Sequence, residues 1–121
     1  MKVEFVTQLR VTKNNGKWVL LCPFVIKIDG SPWVIPTEFE TDFASVPRVP
    51  FAYLLAGDTA HKSAVLHDFL YEQQVDRKWA DDVFYYAMKA EGVSQWRRDL
   101  MYRAVRLFGG EAYKKYTSKA N

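Results

Sequence analysis

The hydrophobic period of the chain changes once, and that change restricts what it can fold into. Val3 to Val11 and Lys17 to Ile28 are rich in Val, Ile, Phe and Thr, residues that suit pleated, half-buried strands. Between them Lys13-Asn14-Asn15-Gly16 carries an Asn-Gly pair that supports positive φ and a tight hairpin. Asp29-Gly30 makes a second turn, after which Trp33 to Pro36 can return as a short third strand. Beyond Gly57 the apolar residues recur at a period near 3.6. Asp58 or Thr59 can cap a helix to about Gln74, Asp76 a second that Gly92 ends, and Ser94 a third reaching Phe108, where Gly109-Gly110 stops it. Glu111 to Lys119 can add one more short helical turn or two. Strands first and helices second predict an α+β fold: an N-terminal β-hairpin or small antiparallel sheet, then an antiparallel helical hairpin and a third helix.

The 121 residues amount to about one domain, divided into a strand-rich part (1–36), an ordered loop (37–57) and a helical part (58–121). Four prolines from Pro32 to Pro50 bracket the loop, which is too irregular for a long helix and too aromatic for a floppy linker. Its segment Asp42 to Arg48 is expected to pack near the helix that carries His67, anchored by Phe39 or Phe43. The longest uncharged apolar run, Trp18 to Ile26, is broken by Pro23 and falls far short of the roughly 20 residues of a membrane-spanning helix. Met1 to Arg10 has no continuous apolar region of a secretory signal. The single cysteine, Cys22, cannot form an internal disulfide, which points to a reducing compartment.

The residues with the most chemistry are His67-Asp68-Phe69-Leu70-Tyr71 and, ten positions after Tyr71, Asp81. On a helix His67 and Tyr71 share a face, while Asp68 projects about 100° away. The short link Val75-Asp76 favours an antiparallel second helix that returns Asp81 to His67. Phe84, Tyr85 and Met88 follow Asp81 at i+3, i+4 and i+7, so its stripe is apolar and faces the core, whereas Asp82 has Lys78 at i−4 as a surface partner. A buried carboxylate needs partners. His67 and a hydroxyl from Tyr71 or Tyr85 are the candidates, and such a pairing would leave the other imidazole nitrogen available as a base.

Two resemblances attach to these residues. The pattern HDxxY on one helix, followed by Asp on an antiparallel helix, resembles the active site of phospholipase A2. That resemblance implies that His67 activates water, Asp81 holds the imidazole, Tyr71 hydrogen-bonds Asp81, and Asp68 ligates Ca²⁺. The glycine-rich calcium loop of that family is missing upstream of His67. Only the Asp42 loop could complete the metal site, since Ca²⁺ takes six to eight oxygens. More closely, TDFASVPR, HDFLY, ADDVF and MYRAVRLFGG, spanning about Thr41 to Gly110, resemble an uncharacterised family of small proteins of tailed bacteriophages and prophages. This implies a protein made in the cytoplasm of an infected or lysogenic bacterium, with phage structural proteins as partners if it travels in the virion.

Charge adds a further candidate surface. Residues up to Met88 carry 9 basic and 11 acidic side chains, whereas Lys89 to Asn121 carry 8 and 3. Arg97, Arg98, Arg103 and Arg106, interleaved with apolar residues, could meet an anionic lipid or nucleic acid. Solvated helix-end arginines are the favoured account of them, since no nucleic-acid motif is present. Trp79, Trp96, Tyr86 and Tyr102 read as core and helix-packing residues before a ligand cage. His61, His67, Asp68 and Asp81 follow the order of metal-dependent phosphohydrolases, but His61 and His67 are about 120° apart in helical phase. Three functions therefore stand: a His-Asp hydrolase acting on a phospholipid or other ester, a non-enzymatic phage assembly protein in which His67, Asp68 and Asp81 form a polar lock, and a binder of anionic surfaces. Access separates the first two, because a catalytic dyad opens to a pocket and a lock is sealed.

Overall fold

The computed structural model describes residues 1–41 and 60–120, with the side chains of all of these except 117–120. The strands are β1 (Val3–Phe5), β2 (Val11–Asn14), β3 (Lys17–Leu20), β4 (Phe24–Ile28), β5 (Ser31–Ile35) and β6 (Glu40–Thr41). The helices are α1 (His61–Glu72), α2 (Arg77–Ala90), α3 (Gln95–Phe108) and α4 (Gly110–Ala120). The architecture is α+β, with small antiparallel sheets followed by the helices.

Each of the two long strands expected from composition is divided between two sheets, one ordered β1-β4-β5 and the other β2-β3-β6. Pro23, which has no N–H to give to a ladder, lies between β3 and β4 where the chain changes sheet. Thr7 Oγ1 accepts from the Val25 amide at 2.9 Å, and the Leu21 amide donates to the Arg10 carbonyl at 2.9 Å, so the crossing segments remain hydrogen-bonded. Both hairpin turns form where foreseen. Asn15-Gly16 (φ 53° and 79°) and Asp29-Gly30 (φ 49° and 83°) sit in the left-handed region, which matches the twist of two-residue hairpins. The third strand returns as expected, and Pro32 is accommodated because β5 is an edge strand. Strand β6, pairing Trp18 with Thr41, was not foreseen within the loop.

Nine consecutive residues of α1, Ser63 to Tyr71, are buried, so this helix is enclosed on every side rather than laid on a surface. Helix α2 buries the stripe Ala80, Asp81, Phe84, Ala87 and Met88 against it. His67 of α1 meets Asp81 and Phe84 while Ser63, one turn earlier, meets Glu91, so the two helices run antiparallel. Phe39 docks edge-on to Phe69 of α1, with ring centroids 5.5 Å apart, while the segment it was expected to anchor and the alternative anchor Phe43 lie outside the described residues. Trp33 of β5 meets Trp79 of α2 at 5.8 Å, joining sheet to helices.

The helix ends follow the local signals unevenly. Asp76 caps α2 through the Trp79 amide at 3.0 Å and Gly92 (φ 87°) follows the helix end. Ser94 occupies the cap position of α3 without a side-chain hydrogen bond. Asp58 and Thr59 lie outside the described residues, as does the segment Asp42 to Arg48. The start of α1 is served from a distance, since Glu91 accepts from the Lys62 and Ser63 amides, at 3.2 and 2.7 Å, and from the Ser63 hydroxyl. Instead of a turn or two, α4 is a helix of 11 residues.

Candidate functional site

The antiparallel pairing of α1 and α2 brings together the residues predicted to meet. His67 Nε2 lies 2.7 Å from Asp81 Oδ1, and the Tyr71 hydroxyl donates to the same oxygen at 2.6 Å. An ionised carboxylate only accepts, so Nε2 carries the proton. Asp81 Oδ2 receives Arg106 Nη1 from α3 at 2.6 Å, with Arg77 Nε at 4.0 Å on the same side. Both carboxylate oxygens are thus occupied. Burial alone would raise the Asp81 pKa, but the hydrogen bonds it accepts from His67, Tyr71 and Arg106 outweigh it and hold the group below its ordinary value of 3.8. The same arrangement pushes the Tyr71 phenol upward, through burial first and its bond to the carboxylate second. Arg106 is raised in turn by its bond to Asp81.

Arg77 extends the network into the helix ends. Its Nη2 donates to the Val105 and Arg106 carbonyls at 2.7 and 2.8 Å in the last turn of α3, where the Val105 carbonyl also accepts from the Gly109 amide at 2.8 Å. Gly109, just beyond that terminus, comes so close that a Cβ there would stand 2.6 Å from the Tyr71 hydroxyl and 2.5 Å from the Val105 carbonyl oxygen. The glycine is required by this approach, not by its backbone conformation. On the other side of α1, Asp68 accepts from the Tyr116 hydroxyl of α4, and Tyr113 of α4 donates to the Val75 carbonyl at 2.9 Å. Hydrogen bonds therefore tie α1 to α2 and α4 directly, and to α3 through Arg77 and Asp81 of α2.

The dyad is fully buried. His67 and Asp81 are both 0% exposed, and the imidazole lies 4.2 Å from the Tyr71 ring and 4.7 Å from the Phe84 ring between centroids. One atom breaks the pattern of satisfaction: His67 Nδ1 is buried with no hydrogen-bond partner among the described residues. For Ca²⁺, Asp42 lies outside the described residues, and among the described residues no group of three or more His, Cys, Asp or Glu side chains could hold a metal ion. One carboxylate does not make a site for an ion that needs six to eight oxygens, so Asp68 with its described neighbours does not fit the group.

The four arginines differ in what engages them. Arg106 is committed to Asp81, Arg98 donates to the Val93 carbonyl at 2.8 Å and lies over the Tyr85 ring, and Arg97 stacks on Trp96. Arg103 is the exposed member of the four. The reason is positional: the C-terminal end of α3 turns toward α2, where Asp81 attracts Arg106. Tyr85, the alternative hydroxyl for Asp81, donates instead to Asp99 at 3.0 Å. The Lys78–Asp82 pair forms as expected at 2.9 Å. Arg77 was overlooked although its i−4 spacing from Asp81 signalled it; Arg106, Glu91 and Tyr116 act across helices and left no local signal.

The class is thus an α+β protein whose first three helices share a His-Asp-Tyr-Arg network in which His67, Tyr71 and Asp81 are buried and Arg106 is partly exposed. Residues 18–105 match a family described as protein of unknown function (DUF1353), and the chain belongs to that family. It is 36% identical over 87 residues to the uncharacterized protein y4jT of Sinorhizobium fredii (strain NBRC 101917 / NGR234). That match covers 67% of this chain and 25% of the relative, so the chain spans about a quarter of the protein it matches. No solved structure matches it.

Proposed function

We propose that this chain is a non-enzymatic structural or assembly protein, and that His67, Asp81, Tyr71 and Arg106 are the polar lock holding its helices in register. The observation that carries this reading is the enclosure of the dyad, with His67 and Asp81 at 0% exposure and both Asp81 oxygens bonded. A general base needs hydrogen-bond reach to a substrate or a water, and a sealed carboxylate with several donors serves geometry instead. The resemblance of Thr41 to Gly110 to small tailed-phage proteins suggests assembly of a phage particle as the setting.

A second reading, ester hydrolysis of the phospholipase A2 kind, has one observation in its favour. A lock gains nothing from an unpaired buried nitrogen, which costs about 1–3 kcal/mol, whereas a base needs a nitrogen with no other partner. The deciding experiment measures turnover of phospholipid and simple ester substrates by wild type and by His67→Asn, with and without Ca²⁺. The lock predicts no turnover by either protein. Hydrolysis by wild type, abolished in a folded His67→Asn, would overturn it.

A further inference from the structure

A cleft of about 270 Å³, lined by Asp82, Tyr85, Tyr86 and Tyr102, opens on the outer side of α2 and α3. The volume is below the roughly 300–1,000 Å³ of sites for drug-sized molecules, so it suits a headgroup-sized ligand. Its lining is three tyrosines and one carboxylate, with Lys78 and Arg98 in contact with that lining. Tyr85 meets Tyr86 at 5.3 Å and 79°, and Tyr102 at 5.8 Å and 84°, so Tyr85 makes an edge-to-face corner with each of the other two rings. The Tyr102 hydroxyl donates to Asp82 Oδ1 at 2.6 Å and the Tyr85 hydroxyl to Asp99 at 3.0 Å. With these protons committed to carboxylates, the two tyrosines contribute π-electrons and oxygen lone pairs to the cleft.

That combination attracts cations and repels anions, because an aromatic face carries negative quadrupole potential. The Tyr85 ring already has the Arg98 guanidinium over it at 5.3 Å. Lys78 supplies an ammonium to Asp82 Oδ2 at 2.9 Å, so a second hydrogen-bonding ammonium would have to displace it. A quaternary ammonium would not, since it donates no hydrogen bond and needs only aromatic contact and nearby negative charge. We propose that this cleft binds a quaternary ammonium group, either as a free small cation or as the headgroup of a choline lipid. The site is separate from the His67–Asp81 lock and does not depend on that reading.

The test follows amide shifts in heteronuclear NMR spectra of the full chain on titration with choline chloride against sodium chloride at equal ionic strength. Saturable shifts at residues bordering Asp82, Tyr85, Tyr86 and Tyr102 are expected, with a dissociation constant on the order of millimolar. The neutral isostere 3,3-dimethylbutanol should bind at least about tenfold more weakly, because it keeps the shape and loses the charge. Tyr86→Leu should weaken choline by roughly three- to tenfold. Equal binding of choline and its neutral isostere by wild type would overturn the proposal whether or not the variant folds, as would the lack of a saturable choline shift. Sedimentation with phosphatidylcholine and phosphatidylglycerol vesicles then separates the sources. Retention by phosphatidylcholine alone identifies a lipid headgroup, and choline binding without retention identifies a free cation.

Discussion

Replacing Gly109 with alanine tests whether the turn after α3 is packed onto the buried network. The new methyl would stand 2.5 Å from the Val105 carbonyl oxygen and 2.6 Å from the Tyr71 hydroxyl, with Arg77 Nη2 at 3.4 Å. The two shorter distances lie well inside the roughly 3.5 Å at which non-bonded heavy atoms are at their optimum. Neither neighbour yields easily, one being backbone and the other the tip of a fully buried ring. Overpacking of this kind costs about 1–3 kcal/mol, and moving the hydroxyl off Asp81 forfeits a bond to a charged group worth about 1.5–3 kcal/mol. The expected loss is therefore about 3–5 kcal/mol, read by urea unfolding. Gly110→Ala, whose methyl would meet nothing within 4 Å, is the control and should stay within about 0.5 kcal/mol of wild type. In a Tyr71→Phe background the hydroxyl and its bond are already gone, so Gly109→Ala should cost at least about 1 kcal/mol less there. A Gly109→Ala protein as stable as the Gly110→Ala control would refute the packing argument.

Glu91→Ala removes the carboxylate that serves the first amides of α1 and should lower stability by about 1 kcal/mol, within the usual range for a lost cap; thermal unfolding measures it. The pH dependence follows from Asp81, whose folded pKa lies below its ordinary value. Its ionisation stabilises the fold at neutral pH, and that contribution is lost as pH falls below about 4, through the unfolded value toward the folded one. The stability gap between wild type and Asp81→Asn should accordingly narrow in urea titrations between about pH 5 and pH 3. A gap that widened in acid would reverse the sign of the argument.

Much of the helical half was legible because its signals are local. Asp76, Gly92 and the Gly109-Gly110 pair stand next to the ends they mark, and the apolar stripe after Asp81 exposed that carboxylate as a buried one. The meeting of His67, Tyr71 and Asp81 followed from spacing and a short link. The sheets were harder to read. Lys17 to Ile28 was read as one strand although Pro23 breaks its apolar run, because which sheet each half joins depends on partners such as Val3 for Ile28 and Val11 for Leu20, which are distant in sequence. Glu91 capping α1 and Arg106 neutralising Asp81 are likewise tertiary events: each residue lies where a solvated helix end would also place a charge. Tyr86 and Tyr102 look like packing residues in sequence and Tyr85 like a partner for Asp81, and only the packing of α2 against α3 reveals the cleft they line.

The unfolding free energy of Asp81→Asn at neutral pH, in a protein confirmed as folded by circular dichroism, tests the lock most directly. Removing the charge leaves His67 and Tyr71 buried beside a group that no longer accepts strongly, and leaves Arg106 without its counter-ion. The account predicts a loss of about 3–5 kcal/mol, the size found when one partner of a buried ion pair is removed. A loss below about 1 kcal/mol, the level of substitutions away from buried networks, would contradict it.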